Sequence, residues 1–243
     1  MIVHTEAIVF RTVDFKESSR IVTLFTREQG KLAVMVHGAR KPKGKFGGLM
    51  EVGNLLEVVY YYKSTRSVQT LSEASYLEKT LQLRTDFRKM ALMTSSVELI
   101  NQLLHEGEVN VPIYRRTRNF LLWLDRTERD PRAVFPYLQL RLAEDMGLGI
   151  RLLPGGEGRD HYLTMESGEV STESDARHAY KLTQNQLLYV RLALGEESGA
   201  LFRVDFDSGE LKALIQLLDR YLQYHVEGLK ERRSDAIFEQ ILE

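Results

Sequence analysis

The chain has 243 residues, 43% of them hydrophobic and 28% charged, which is enough apolar content for one large domain or two modest ones and argues against disorder. Its net charge of −1 hides a division: residues 1–72 hold 11 Lys and Arg against 6 Asp and Glu, and the remainder holds 22 against 28, so the N-terminal third is basic and the rest acidic. There is no cysteine, which excludes a disulfide framework and a thiolate-held metal, and no apolar run approaches the roughly 18 residues a membrane span requires.

The opening Met1-Ile2-Val3-His4-Thr5-Glu6 lacks the basic and apolar regions of an export signal, and a cytoplasmic protein without a membrane partner is expected. From Ala7 to about Tyr76 the pattern is β-rich. The spacing predicts strands at Glu6–Thr12, Ile21–Thr26, Leu32–Val36, Leu55–Tyr62 and Val68–Leu71, with Glu28-Gln29-Gly30 closing a hairpin. Five short antiparallel strands in about 70 residues suit a small closed barrel of the oligonucleotide-binding (OB) type, and an SH3-like barrel stays open as the alternative.

After about Leu83 the period lengthens to that of helices. Phe87, Met90, Ala91, Thr94, Val97, Ile100 and Leu104 mark one helical face. Asn110-Val111-Pro112 starts a second helix running to about Thr127, and Asp130-Pro131 a third that carries Val134, Leu138 and Leu142 inward and stops at Gly147. Thr183 is expected to cap a short helix with Leu187, Leu188 and Val190 on its apolar side, and a strong stripe spans Glu210–Lys230. Residues 154–180 interrupt this pattern as a small irregular β insert. The expected fold is thus α+β: an OB-type barrel over 1–80, then a helical domain over 81–243.

The segment richest in chemistry is Gly38-Ala39-Arg40-Lys41-Pro42-Lys43-Gly44-Lys45-Phe46-Gly47-Gly48, which places four cations within six positions and no acid among them. It is not a nucleotide P-loop: five residues separate Gly38 from Gly44, and Phe46 stands where the metal-holding Ser or Thr would be. Cations this dense repel one another, and a polyanion is the plainest reason to gather them. Phe46, Phe15 and the run Tyr60-Tyr61-Tyr62 are candidate stacking faces, although strand geometry sends neighbouring tyrosines to opposite sides and packs at least one into the barrel.

Elsewhere the chemistry is sparse. The six histidines are dispersed, and His105-Glu106 lacks a zincin's second histidine. Asp205–Glu210 resembles a calcium loop but reads better as a helix cap, and His225 as a hydrogen-bonded histidine at a core edge. No enzyme activity, metal or cofactor is expected. A groove flanked by Arg141, Arg151, Arg220 and Lys230 is a second candidate surface, for a partner peptide.

The run Glu17–Lys31, followed by Gly38-Ala39-Arg40 and Phe46-Gly47-Gly48, with Met146–Ile150 and Arg220–His225 farther on, resembles the bacterial recombination mediator protein O (RecO) family over most of the chain. The resemblance implies an OB barrel followed by a helical domain, binding of single- and double-stranded DNA, and annealing of complementary strands. It also implies work with RecR to load the RecA recombinase onto DNA covered by single-strand-binding protein, through contact with that protein's acidic tail. By motif position it makes Arg40, Lys41, Lys43 and Lys45 the DNA-contacting cations, with Arg20 and Lys31 as neighbours. One departure stands out: many family members carry a four-cysteine zinc module after the equivalent of Gly147–Ile150, and here the insert 154–180 has no cysteine. The alternative function is an adaptor that binds acidic protein tails without touching DNA, and a metal-dependent nuclease is the third reading.

Overall fold

The computed structural model describes residues 1–41, 44–155, 159–173, 177–195 and 198–242. Their contacts separate into two compact units, Met1–Glu128 and Arg129–Glu243.

In the first unit five strands, β1 (Ile2–Phe15), β2 (Ser19–Thr26), β3 (Gly30–Val36), β4 (Leu55–Tyr61) and β5 (Val68–Glu78), close into a barrel in the order β1-β2-β3-β5-β4, with β4 returning to β1. This is the OB arrangement. The pairing is not antiparallel throughout, because β3 meets β5 in parallel at Ala33–Val68, Val34–Gln69 and Met35–Thr70, and that short seam completes the closure. Period-two burial explains the barrel: Val3, Ala7, Val9, Val22, Leu24, Val34, Val36, Leu56, Val58, Tyr60 and Leu71 fill its interior. The strand β1 also buries the alternate residues Ile8 and Phe10. The Phe10 ring lies 5.2 Å from Phe25, and Phe25 lies 5.5 Å from Tyr114 of a packed helix, so β1 faces apolar neighbours on both sides.

Two helices complete this unit, α1 (Phe87–Leu103) and α2 (Val111–Arg126). Asp86 caps α1 by accepting from the Arg88 and Lys89 N–H groups, and Asn110 caps α2 by accepting from Ile113 N–H at 3.0 Å, as its sequence signal predicts. Helix α1 departs from expectation at its start, where Phe87 and Met90 are exposed and its buried face begins with Lys89, Ala91 and Leu92.

The second unit holds α3 (Val134–Asp145), α4 (Gln184–Leu194), α5 (Ser208–His225) and α6 (Asp235–Gln240). The expected cap at Asp130-Pro131 lies three residues too early. Asp130 spends its carboxylate on Arg132, and the helix starts after Ala133 with no side-chain cap. Thr183 does cap α4, reciprocally with Gln186, whereas Leu188 points to solvent rather than to the apolar side.

The insert is a four-stranded sheet of β6 (Arg151–Leu152), β7 (His161–Thr164), β8 (Glu169–Ser171) and β9 (Ala179–Leu182), ordered β6-β8-β7-β9. Leu163, Met165, Val170 and Leu182 form its buried side. Helix α5 clasps it: Tyr221 donates to the Leu148 carbonyl at 2.9 Å, His225 Nε2 bonds the Met165 carbonyl at 2.8 Å, and the Arg220 guanidinium sits 5.0 Å from the Tyr180 ring centre. The stretch Arg220–His225 therefore acts as a fastening strip, in a segment that has no thiolates to fasten it.

Candidate nucleic-acid interface

The basic segment joins β3 to β4, and its backbone is a succession of tight turns, with Lys41 N–H to Gly38 O at 3.1 Å, Gly44 N–H to Lys41 O at 2.8 Å and Gly47 N–H to Gly44 O at 3.1 Å. Gly38 makes the first turn at φ +71°, a conformation that L side chains rarely adopt. Ala39, Phe46 and Met50 drop into the barrel interior as anchors. Asn54 then ties the loop's far end by donating to the Gly48 and Leu49 carbonyls, both at 2.8 Å. Phe46 is 8% exposed, which removes it as a stacking face. Its apolar ring is what keeps the loop pinned while the flanking cations stay outside.

The cations differ in what they do. Lys41 is exposed, with no side-chain partner among the described residues. Lys45 is exposed, donates to the Ser72 carbonyl at 3.3 Å and lies 5.5 Å from the Phe46 ring centre. Arg40 reaches the β1–β2 turn, donating to the Lys16 carbonyl at 2.9 Å and pairing with Asp14 at 3.2 Å. Arg20 pairs with Asp14 at 3.1 Å and with Glu51 at 3.2 Å. The network joins the two ends of the loop to the β1–β2 turn. Lys43 lies outside the described residues.

Lys31 stands apart from this group. It sits at the start of β3, the end away from the loop, and its ammonium donates to the Asn101 carbonyl of α1 at 2.7 Å. Burial holds its pKa below the usual lysine value, with Glu106 and Glu108 opposing that shift.

Two turns outside the candidate DNA-contacting set also carry exposed cations. Lys16, at φ +53° in the β1–β2 turn, holds its ammonium 5.4 Å from the Phe15 ring centre. The β4–β5 turn presents Lys63 and Arg66, held by buried Gln69 through bonds to Lys63 N–H, Lys63 O and Arg66 O. These are the turns with which OB barrels grip oligonucleotides, so the strand reading contained the signal. Of the three consecutive tyrosines Tyr60 is fully buried, Tyr62 packs partly against the core and Tyr61 is 49% exposed.

The outer face of β1, β4 and β5 has the opposite polarity. Glu6 faces Glu57 across the β1–β4 register, and Glu57 and Glu73 line a groove of about 580 Å³ together with His4 and Lys45. Like charges placed opposite one another weaken a sheet, and Arg27 offsets them here by pairing with Glu6 and Glu28, each at 3.6 Å. Among the described residues no group of three or more His, Asp or Glu is placed to hold a metal, and no helix is long and apolar enough to cross a membrane. In the second unit the arginines of the other candidate surface are engaged: Arg141 with Glu144 at 2.8 Å, Arg151 with Glu169 at 3.0 Å, and Arg220 over Tyr180.

Comparison with known proteins bears on both units. The family profile described as Recombination protein O N terminal matches residues 1–79, and Recombination protein O C terminal matches residues 84–235. The DNA repair protein RecO of Chlorobium limicola is 30% identical over 259 residues, covering 100% of this chain and 99% of its own length. That of Salinibacter ruber is 29% identical, covering 99% and 94%. That of Chlorobium phaeobacteroides strain DSM 266 reaches 34% over 147 residues, covering 60% and 56%.

Proposed function

The chain belongs to the recombination protein O family of DNA repair proteins, and from that premise we propose that it is a non-catalytic DNA-binding and strand-annealing mediator of recombination. The observation that carries this reading is the loop after β3, whose apolar anchors sit in the barrel while Arg40, Lys41 and Lys45 face solvent. Cations fixed in this way neutralise phosphates and release condensed counterions, so two strands that repel each other in free solution can be held close enough to pair. Phosphate contacts position a strand without identifying its bases, and sequence preference is correspondingly weak. Lys16, Lys63 and Arg66 extend the same surface in this reading, and Lys43, outside the described residues, belongs to it by motif position alone.

The partners that go with this role are single- and double-stranded DNA, RecR and the acidic tail of single-strand-binding protein, with the RecA recombinase as the protein loaded, in the cytoplasm. The decisive experiment is a salt-titrated binding curve on single-stranded DNA for the native chain and for Lys41→Glu combined with Lys45→Glu. Affinity is expected to fall at least about tenfold at physiological salt, and the log–log slope to shrink by roughly 0.7 for each phosphate that is no longer neutralised. Unchanged DNA affinity with loss of binding to an acidic tail peptide gives the adaptor reading instead, and metal-dependent cleavage of labelled DNA would overturn the non-catalytic one.

A further inference from the structure

We infer that Asp14 sets how much positive charge the loop offers: it holds Arg20 and Arg40 in carboxylate pairs that a phosphate chain must displace, so the interface admits polyanions and passes over single phosphates. This rests on the DNA-binding reading of the loop.

Asp14 lies directly opposite Arg20 in the β1–β2 register, and its two oxygens are divided between two arginines, Oδ1 to Arg20 Nε at 3.1 Å and Oδ2 to Arg40 Nε at 3.2 Å. Glu51 takes the other side of Arg20 at 3.2 Å. Two carboxylates on two guanidiniums leave this network formally neutral. Arg20 and Arg40 are thus spoken for, whereas Lys41 is exposed and has no side-chain partner among the described residues. The pairs remain open to exchange: the Asp14 side chain is 55% exposed and that of Arg40 39%, so water and salt reach the ion pair and screen it.

A guanidinium fork accepts phosphate in the geometry it offers a carboxylate. A lone phosphate must compete with a carboxylate already in place. A strand first held at Lys41 and Lys45 presents its next phosphates at high effective concentration, and exchange becomes favourable.

The test measures single-stranded DNA binding by the full chain against salt, for the native protein, Asp14→Asn and Glu51→Gln. Asp14→Asn is expected to bind roughly three- to tenfold more tightly, with the slope steeper by about 0.7 for each cation freed. Inorganic phosphate should compete with DNA at lower concentration in that variant than in the native chain. Glu51→Gln, which frees Arg20 at one end only, should show a smaller rise and serves as the arbiter if Asp14→Asn folds poorly. Weaker binding or an unaltered slope in both variants overturns the role of Asp14, and the DNA reading survives if the Lys41 and Lys45 charge reversals still weaken binding. Native binding that ignores those two lysines removes both.

Discussion

Tyr60 carries its hydroxyl into the barrel interior, where it finds no hydrogen-bond partner among the described residues. Leaving a buried donor unmet costs about 1–3 kcal/mol, so Tyr60→Phe should raise stability by about 1 kcal/mol in urea melts, with DNA affinity unchanged. Burial also pushes the Tyr60 pKa from 10.0 to about 12. As pH passes 10 the unfolded chain loses this proton first, so native stability falls between pH 10 and about 12, and the advantage of Tyr60→Phe should widen across that window. The burial of one of the three tyrosines follows from alternation, but the sequence cannot say that the hydroxyl would be stranded. Arg20 and Arg40 teach the same lesson. Their charge is plain in the sequence, while Asp14 becomes their shared partner only when the β1–β2 register sets it opposite Arg20.

Gly30 shows how much of an element a single residue can announce. The predicted hairpin forms there, with Gly30 at φ +67°, but the closeness of Glu108 was not legible: a Cβ on Gly30 would stand 2.1 Å from the Glu108 carbonyl oxygen. Left-handed strain alone costs roughly 1–2 kcal/mol for an L-residue, so Gly30→Ala should lower the unfolding free energy by about 2 kcal/mol or more in urea titration. Strands and caps with local signals were readable, including Asn110, Thr183 and Asp207. The parallel β3–β5 seam and the start of α3 were not, because both depend on partners distant in sequence or on a carboxylate diverted to Arg132. The insert is the clearest case. Its strands were visible as an irregular excursion, and its fastening to α5 was not. His225→Ala would orphan the buried Met165 carbonyl and should cost about 1–3 kcal/mol, read as a lower thermal midpoint, whereas a chelator should leave the native melting curve where it is.

For the whole molecule, the change from strands to helices near residue 80 coincides with the gap between the two family matches, 1–79 and 84–235, yet the chain divides into its compact units after Glu128. The reason lies in what the barrel's outer side needs. Lys31 donates to Asn101 of α1, and a Cβ on Gly53 would lie 2.3 Å from the Met93 sulfur. Tyr114 of α2 packs on Phe25, and Glu78 at the end of β5 pairs with both Arg118 and Arg126. A barrel cut at residue 80 exposes Ile8, Phe10 and Phe25 to water and leaves Lys31 without its carbonyl, a loss of roughly 1.5–3 kcal/mol for each large apolar side chain uncovered. Domains owe only about 5–15 kcal/mol of net stability to much larger opposing terms, so that loss is decisive. A fragment of residues 1–128 should therefore melt cooperatively in urea and keep salt-dependent DNA binding, while a fragment of residues 1–80 should show no cooperative transition. A stable, DNA-binding 1–80 fragment would show that α1 and α2 rest on the barrel without supporting it.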